Sequence, residues 1–340
     1  MGHALFDARI ARFADEMSHR GVDAIVGSSA LPLVASVHGR RGVGRDTVAR
    51  ALAAGGVAVG RDGEVAVHVV AEVVKPEDRA AIAESASAGS TMAVLNKVDL
   101  LGIRSSLRAG GPTASARARC LRYQALTGVP TVPMVANLAV VNVDEPLMET
   151  LRVLATEPVE LGSVDGFFSA AQHLPEQART RLLGELDLAG IMIGLLALRA
   201  HPGVDAAGVQ RLLRRHSGVD GVRAALRAMF AEAGYRRVRA TAAALAALAA
   251  TDRDGIGSRV DDFLRDDDTL IARMAAAVDV VEAAGMTVDP RDDPAAHLCR
   301  AAAWQDYRGG PVSDLHRACG QDIVKGSLRL WQRARGGGCT

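Results

Sequence analysis

The hydrophobic pattern changes character along this chain. In the front part, short apolar and partly β-branched runs alternate with amphipathic stretches, as strands separated by helices do. The predicted strands are Leu31–His38, Val57–Val59, Val65–Val74, Met92–Leu95 and Val132–Val141. Such alternation predicts a parallel sheet with helices on its faces. The Asp62-Gly63 pair between two β-rich runs also predicts a hairpin.

Beyond about residue 145 the apolar positions follow a helical period. The predicted helices cover 149–155, 176–200, 209–216, 219–233, 238–250, 258–284, 295–307 and 312–335. We therefore expect three parts: an N-terminal helix over 1–29 that packs on the helical part, an α/β domain over 30–144, and an all-α helical bundle over 145–340.

Composition excludes some classes of function. The 340 residues include 40 Lys and Arg against 39 Asp and Glu, a formal net charge of +1, which favours neither a polyanionic nor a polycationic partner. Aromatic residues make up 3%, so nucleic acid is not an expected ligand. Four cysteines are too few for a disulfide framework, no signal-peptide pattern is present, and the apolar run Leu188–Leu198 is too short to cross a bilayer. We expect a cytoplasmic protein.

The first candidate for chemistry is a glycine-rich turn that follows a predicted strand. Gly39 and Gly44 have the spacing of a phosphate-binding loop, Gly42 lies between them, and a helix follows. Backbone N–H groups of such a loop can surround a phosphate at a helix N-terminus. Arg45 and Asp46 stand where the pattern has Lys and then Ser or Thr. The alternative interpretation is an ordinary strand-to-helix turn.

The second candidate is Asn96-Lys97-Val98-Asp99, which follows another predicted strand. In guanine-binding proteins such an Asp accepts two hydrogen bonds from the base, the Lys stem covers the base plane, and the amide fixes the loop. Adenine would leave the carboxylate unpaired, which is costly when it is buried. The alternative is a polar loop that matches by chance, but two motifs in the correct order are a stronger indication than either alone.

Together these motifs resemble P-loop GTPases of the Era and dynamin-like kind, with a helical region behind the G domain as in actinobacterial dynamin-like proteins. The resemblance covers roughly residues 30–142 and includes Thr131–Asn137, where Val135 replaces a Ser of the loop that closes over the base. It implies a reduced G-domain-like, three-layer α/β fold and GTP or GDP with Mg²⁺ as ligand. The implied nucleotide-binding residues are Gly39, Gly42, Gly44, Arg45, Asp46, Thr47, Asn96, Lys97, Asp99 and Ala136, with Asp46 or Thr47 as the Mg²⁺ ligand.

The chain also departs from that family in the parts that hydrolyse GTP. Only 57 positions separate Gly39 from Asn96, and the one Asp-Gly pair in this interval is Asp62-Gly63, in a predicted turn. No switch loop with a Mg²⁺-binding Thr fits before Val57. These loops would order around the γ-phosphate and position the attacking water.

The absence of both loops predicts a pseudo-GTPase that acts by binding another protein, as a homodimer or with an active GTPase relative. One alternative is a working GTPase in which Arg45 replaces the Lys and Asp46 holds Mg²⁺. A further alternative is a membrane-surface or nucleic-acid module built from the helical half, with peripheral membrane association. The arginines that motivate it are Arg211, Arg214, Arg215, Arg236, Arg237 and Arg239.

Two other patterns have structural alternatives. His297 with Cys299, and His316 with Cys319, are ligand types for zinc, but both pairs lie on predicted helices where burial in a core explains them equally. Gly190-x-x-x-Gly194 within the apolar run is typical of close helix packing or of a membrane-inserting face.

Overall fold

The computed structural model describes residues 2–29, 31–101, 116–170, 174–251 and 255–336. Contacts divide the chain into two compact units, one formed by Val34–Leu226 and the other by Met1–Leu33 together with Arg227–Thr340. We refer to them as the α/β unit and the helical unit. The predicted boundary at residue 145 differs from this division.

The helices and strands have the following bounds. The helices are α1 His3–Met17, α2 Arg20–Ser29, α3 Arg45–Ala54, α4 Pro76–Ala88, α5 Arg117–Thr127, α6 Ala136–Val140, α7 Glu145–Ala155, α8 Val164–Ala170, α9 Glu176–Ala200, α10 Ala206–Ser217, α11 Val219–Ala250, α12 Gly257–Arg265, α13 Asp267–Ala283, α14 Pro294–Gly309 and α15 Asp314–Gly336. The strands are β1 Ala35–Gly39, β2 Val59–Gly60, β3 Val65–Ala71, β4 Ser90–Asn96 and β5 Thr131–Pro133.

The five strands form one sheet in the order β2-β1-β3-β4-β5, with every neighbouring pair parallel. The predicted parallel α/β sheet is thereby confirmed. The predicted hairpin at Asp62-Gly63 is wrong, because β1 lies between β2 and β3, and Ala35 is in register with both Val59 and Val65. A strand buried on both faces, as β3 is, favours parallel neighbours over a two-residue turn.

The last predicted strand is shorter than expected. β5 ends at Pro133, and the residues from Ala136 to Val140 form the short helix α6. The predicted strand over Val132–Val141 is therefore wrong beyond Pro133, because a short apolar run fits a buried helix as well as a strand and the tertiary environment decides between them. Asn96 accepts a hydrogen bond from the backbone N–H of Ala136 at the start of this helix.

Helices α6 to α10, which follow the sheet in the chain, belong to the α/β unit because they share its core. Buried side chains run continuously from Leu95 of β4 through Leu147 of α7 and Ile191 of α9 to Leu213 of α10. Most of the apolar run of α9 is buried in this core, with Leu196 exposed, and among the described helices none is long and apolar enough to cross a membrane. Burial of both helix faces explains why this run is apolar all round.

The helical unit has its own core, in which the ends of the chain meet. Phe13 of α1 stacks on Phe263 of α12 with ring centroids 4.2 Å apart, and Tyr235 and Trp304 are buried in the same cluster. The helix predicted over 258–284 is two helices, because Asp266 adopts an extended conformation and its side chain accepts a hydrogen bond from the backbone N–H of Thr269.

Candidate functional site

The glycine-rich turn joins the carboxyl end of β1 to the N-terminus of α3. Gly39, Gly42 and Gly44 have φ angles of 153°, 89° and 85°, a region that side chains disfavour. A Cβ atom on Gly39 would lie 2.7 Å from the carbonyl oxygen of Val69, and one on Gly44 would lie 2.4 Å from Asn96 Nδ2. The loop therefore needs glycine both for its backbone conformation and for its close approach to neighbouring strands.

Asn96 connects three loops at the carboxyl edge of the sheet. Its Nδ2 donates to the carbonyl oxygen of Val43 in the glycine loop at 2.9 Å, and its Oδ1 accepts from the backbone N–H of Ala136 at 2.9 Å. The side chain is buried, so both bonds are shielded from water. In this way the amide fixes the loops after β1, β4 and β5 relative to one another.

These loops surround a cavity of about 520 Å³ within the α/β unit. In the sheet, β2 and β3 lie on opposite sides of β1, so the order of the strands reverses at β1. Open parallel sheets bind their ligands at the carboxyl ends of the strands beside such a reversal, and the cavity lies there. Of the predicted nucleotide-binding residues, Gly42, Gly44, Arg45, Asp46, Thr47, Asn96, Lys97, Asp99 and Ala136 line it. Gly39 lies below the loop, against Val69.

One end of the cavity contains a buried carboxylate. Asp99 is 6% exposed, and its Oδ1 has no hydrogen-bond partner among the described residues. Burial raises the pKa of Asp99 to about 6, and the nearby Asp187 carboxylate contributes in the same direction. Burying an unpaired carboxylate is costly, so this atom is suited to accept hydrogen bonds from a ligand.

The opposite end is exposed and differs from the Walker pattern. Arg45 Nε donates to Asp46 Oδ1 at 2.8 Å, and both side chains are largely exposed. This bond lowers the pKa of Asp46. Arg40 is also engaged, since its Nε and Nη2 donate to the two carboxylate oxygens of Asp78 at 2.7 and 3.1 Å.

Both side chains predicted as magnesium ligands, Asp46 and Thr47, line this end of the cavity. Mg²⁺ bound in a phosphate loop uses an oxygen ligand together with the ligand's phosphates. The Asp46 carboxylate accepts instead from the guanidinium beside it, and Thr47 offers one hydroxyl. In the described ranges no group of three or more His, Cys, Asp or Glu side chains could hold a metal ion.

The Asp62-Gly63 pair lies at the other edge of the sheet. A Cβ atom on Gly63 would lie 2.5 Å from the backbone nitrogen of Ser36, near the amino end of β1. β2 ends at Gly60, which is in register with Ser36, whereas β1 continues to Gly39. At about 3.3 Å per residue, the end of β2 falls roughly 10 Å short of the glycine loop.

Sequence reasoning missed Asp187, which lines the same cavity from α9. Asp187 interrupts that helix with a φ of 56° and a ψ of 173°. This conformation costs about 1–3 kcal/mol for a residue other than glycine. The signal available in the sequence was an acidic residue immediately before the apolar run Leu188–Leu198.

The candidate zinc residues have other partners in the helical unit. His297 Nδ1 contacts Arg300 Nη2 at 2.7 Å, and its Nε2 lies 3.2 Å from Asp292, while Cys299 is exposed. His316 Nδ1 contacts the hydroxyl of Tyr307 at 2.7 Å. Cys319 is buried, and burial raises its thiol pKa to about 12.

The predicted arginine cluster is divided between the two units. Arg211, Arg214 and Arg215 belong to the α/β unit, whereas Arg236, Arg237 and Arg239 belong to the helical unit. Arg237 donates to backbone carbonyl groups of Ser29 and Leu31, and Arg236 pairs with Glu232 at 2.9 Å. These bonds give the two arginines a structural role.

Gly190 and Gly194 allow close packing of α9. A Cβ atom on Gly190 would lie 2.8 Å from Leu138 Cδ2 in α6, and one on Gly194 would lie 3.2 Å from Leu151 Cδ1 in α7. The first contact sets α9 directly against α6, the short helix that follows β5. It therefore positions Asp187, nearly one helical turn earlier, at the cavity.

Comparisons of the chain with protein-family models, with curated proteins and with solved structures found no match.

Proposed function

We propose that this chain is a pseudo-GTPase, a guanine-nucleotide-binding protein of the P-loop type that does not hydrolyse its ligand. The observation that carries the proposal is the position of Asn96. One buried amide bonds the glycine loop and the loop after β5, and the cavity so formed has the phosphate-loop motif at one end and the Asn-Lys-Val-Asp motif at the other.

The base end supports guanine over adenine. Asp99 is buried with an unpartnered oxygen, and guanine presents two adjacent N–H donors to such a carboxylate. Adenine presents an acceptor at the same ring position, which would leave the carboxylate unpaired or repelled. Lys97 has a positive φ of 58° and lines the cavity beside Asp99.

The phosphate end supports binding of an anion. The glycine loop leads into the N-terminus of α3, whose first backbone N–H groups have no intrahelical acceptor. Arg41 and Arg45 line this end and add positive charge. The Arg45–Asp46 pair reduces that charge, which is consistent with a weaker hold on phosphate than a Lys provides.

Hydrolysis lacks support at the same site. A catalytic switch after β2 would have to reach the γ-phosphate, but β2 ends level with Ser36 and the Asp62-Gly63 pair lies near the amino end of β1. The Asp46 carboxylate, which stands where the phosphate-loop pattern has its Mg²⁺-binding hydroxyl, is paired with Arg45. A protein of this kind acts through what it binds, so our proposal includes a protein partner, either a second copy or an active GTPase relative.

Calorimetry with GDP, GTP and ADP tests the proposal. We expect GDP and GTP to bind and ADP not to bind, and Asp99→Ala to weaken GDP at least about 100-fold, since two hydrogen bonds to a charged group are lost. The control is Asp165→Ala, an exposed acid of the same unit. Absence of GDP binding to the wild type contradicts the proposal.

Turnover is measured on the same samples. We expect phosphate release from GTP to stay at the background rate with and without Mg²⁺. Turnover that Arg45→Ala abolishes would identify a working GTPase instead. Light scattering with and without GDP then tests for the homodimer.

A further inference from the structure

Among the described residues, Asp187 is the carboxylate on the cavity wall that the two sequence motifs do not include. It comes from α9, more than 80 residues after Asp99, and it lines the cavity together with Asp99 and Ala136. Its charge raises the pKa of Asp99, so the two carboxyl groups interact. Two neighbouring carboxylates in a partly buried site repel each other unless a ligand supplies donors to both.

The backbone holds Asp187 in this place against its own preference. The residue adopts φ 56° and ψ 173° inside a helix, and its Oδ1 accepts from the backbone N–H of Leu188 at 3.0 Å. The close contact of Gly190 with Leu138 fixes the following turn of α9 against α6. A strained backbone conformation persists only where the surrounding packing holds it, and such positions cluster at functional sites.

Guanine has the donors that two carboxylates require. Its ring N–H and one hydrogen of its exocyclic amino group are sufficient to pair with the two oxygens of Asp99. The second hydrogen of the amino group is then left without an acceptor. Asp187 has a second carboxylate oxygen for it, because its Oδ1 is the atom bonded to Leu188.

We propose that Asp187 is a specificity-determining residue that accepts a hydrogen bond from the exocyclic amino group of a bound guanine. This inference rests on the proposed guanine-nucleotide function. The charged side chains that face Asp99 are Lys97 from its own loop and Asp187 from α9, while α6 contributes the neutral Ala136 and Asn137 to the described wall. Asp187 thus adds recognition of the amino group to the recognition that Asp99 supplies.

The test compares GDP with inosine diphosphate, whose base lacks the amino group. Asp187→Gly removes the carboxylate and keeps the backbone, because glycine adopts this conformation readily. We expect the variant to weaken GDP about tenfold and to leave inosine diphosphate unchanged, so that discrimination between them falls about tenfold. Asp165→Ala, the exposed control, should change neither affinity.

The outcomes separate this inference from the proposed function. If GDP binds the wild type but Asp187→Gly weakens GDP and inosine diphosphate equally, or weakens neither, the role of Asp187 is wrong and the proposed function stands. If the wild type binds neither nucleotide, both are wrong. Asp187→Asn keeps one oxygen for the bond to Leu188 and has an NH₂ group in place of the second oxygen, so it should lose the discrimination as Asp187→Gly does. Full discrimination in the Asn variant would contradict the role of Asp187.

Discussion

Two buried aspartates, one in each unit, have similar exposure and opposite surroundings. Asp322 in the helical unit is 3% exposed, and its oxygens accept from the hydroxyl of Tyr235 at 2.8 Å and from Arg273 at 2.9 Å. Asp99 in the α/β unit is 6% exposed, but its Oδ1 has no partner among the described residues and Asp187 lies nearby. Burial alone therefore does not separate a structural carboxylate from a binding one.

The difference lies in hydrogen bonding. A carboxylate whose oxygens are satisfied within the protein has its desolvation cost offset and holds its neighbours in place. When a carboxylate on a cavity wall has an unpaired oxygen, its desolvation cost is not offset until a ligand donates a hydrogen bond to it. The second arrangement destabilises the free protein and strengthens binding of a ligand with N–H donors.

The largest expected effect is on the satisfied carboxylate. Asp322→Ala leaves Tyr235 and Arg273 without their buried acceptor, and we expect a loss of about 3–5 kcal/mol in the free energy of unfolding. Urea denaturation followed by circular dichroism measures it. The control, Asp268→Ala, removes exposed pairs with Arg9 and Arg333 and should cost less than about 1 kcal/mol. Equal losses in both variants would show that Asp322 has no special role.

We expect Asp99→Asn to raise the free energy of unfolding, whereas Asp322→Ala lowers it. Burial raises the pKa of Asp99 to about 6, above the ordinary aspartate value of about 3.9, so the free energy of unfolding falls as pH rises between these values. This pKa difference corresponds to about 3 kcal/mol, which is the most that the variant can gain above pH 6 without ligand. Thermal denaturation at several pH values measures the gain, which should vanish below about pH 4. A variant less stable than the wild type at neutral pH would contradict the unpaired state of Asp99.

The smallest expected effect concerns the exposed end of the cavity. Asp46→Ser frees Arg45 from its pair and removes a negative charge beside the phosphates, so we expect GDP affinity to rise about two- to threefold. Calorimetry with and without Mg²⁺ measures it, and Asp62→Ser, at the other edge of the sheet, is the matched control. A loss of affinity that depends on Mg²⁺ would instead indicate that Asp46 holds the ion.

Local pattern predicted the parts of the site that are contiguous in sequence. The glycine turn and the Asn-Lys-Val-Asp loop lie where spacing placed them, because each depends on interactions within a few residues. The hairpin at Asp62-Gly63 was wrong for the same reason. A turn signal is local, whereas the choice of β1 as the neighbour of both β2 and β3 depends on burial of the whole sheet.

Residues distant in sequence could not be placed from the pattern. The ion pair of Arg40 with Asp78 joins the carboxyl end of β1 to the first turn of α4. Asp187 lies at the cavity because Gly190 of the same helix packs against Leu138. The assignment of α7, α9 and α10 to the sheet's unit follows from a shared core that no single segment reveals.

The sequence by itself determined the α/β front, the helical back and the positions of both loop motifs, since periodicity and glycine spacing are set by covalent geometry and local hydrogen bonding. Only the tertiary structure decided the strand order, the bonds of Asn96 and the place of Asp187 on the cavity wall. These depend on which apolar faces bury each other, a property of the whole unit, and that packing leaves one buried aspartate satisfied and another open to a ligand.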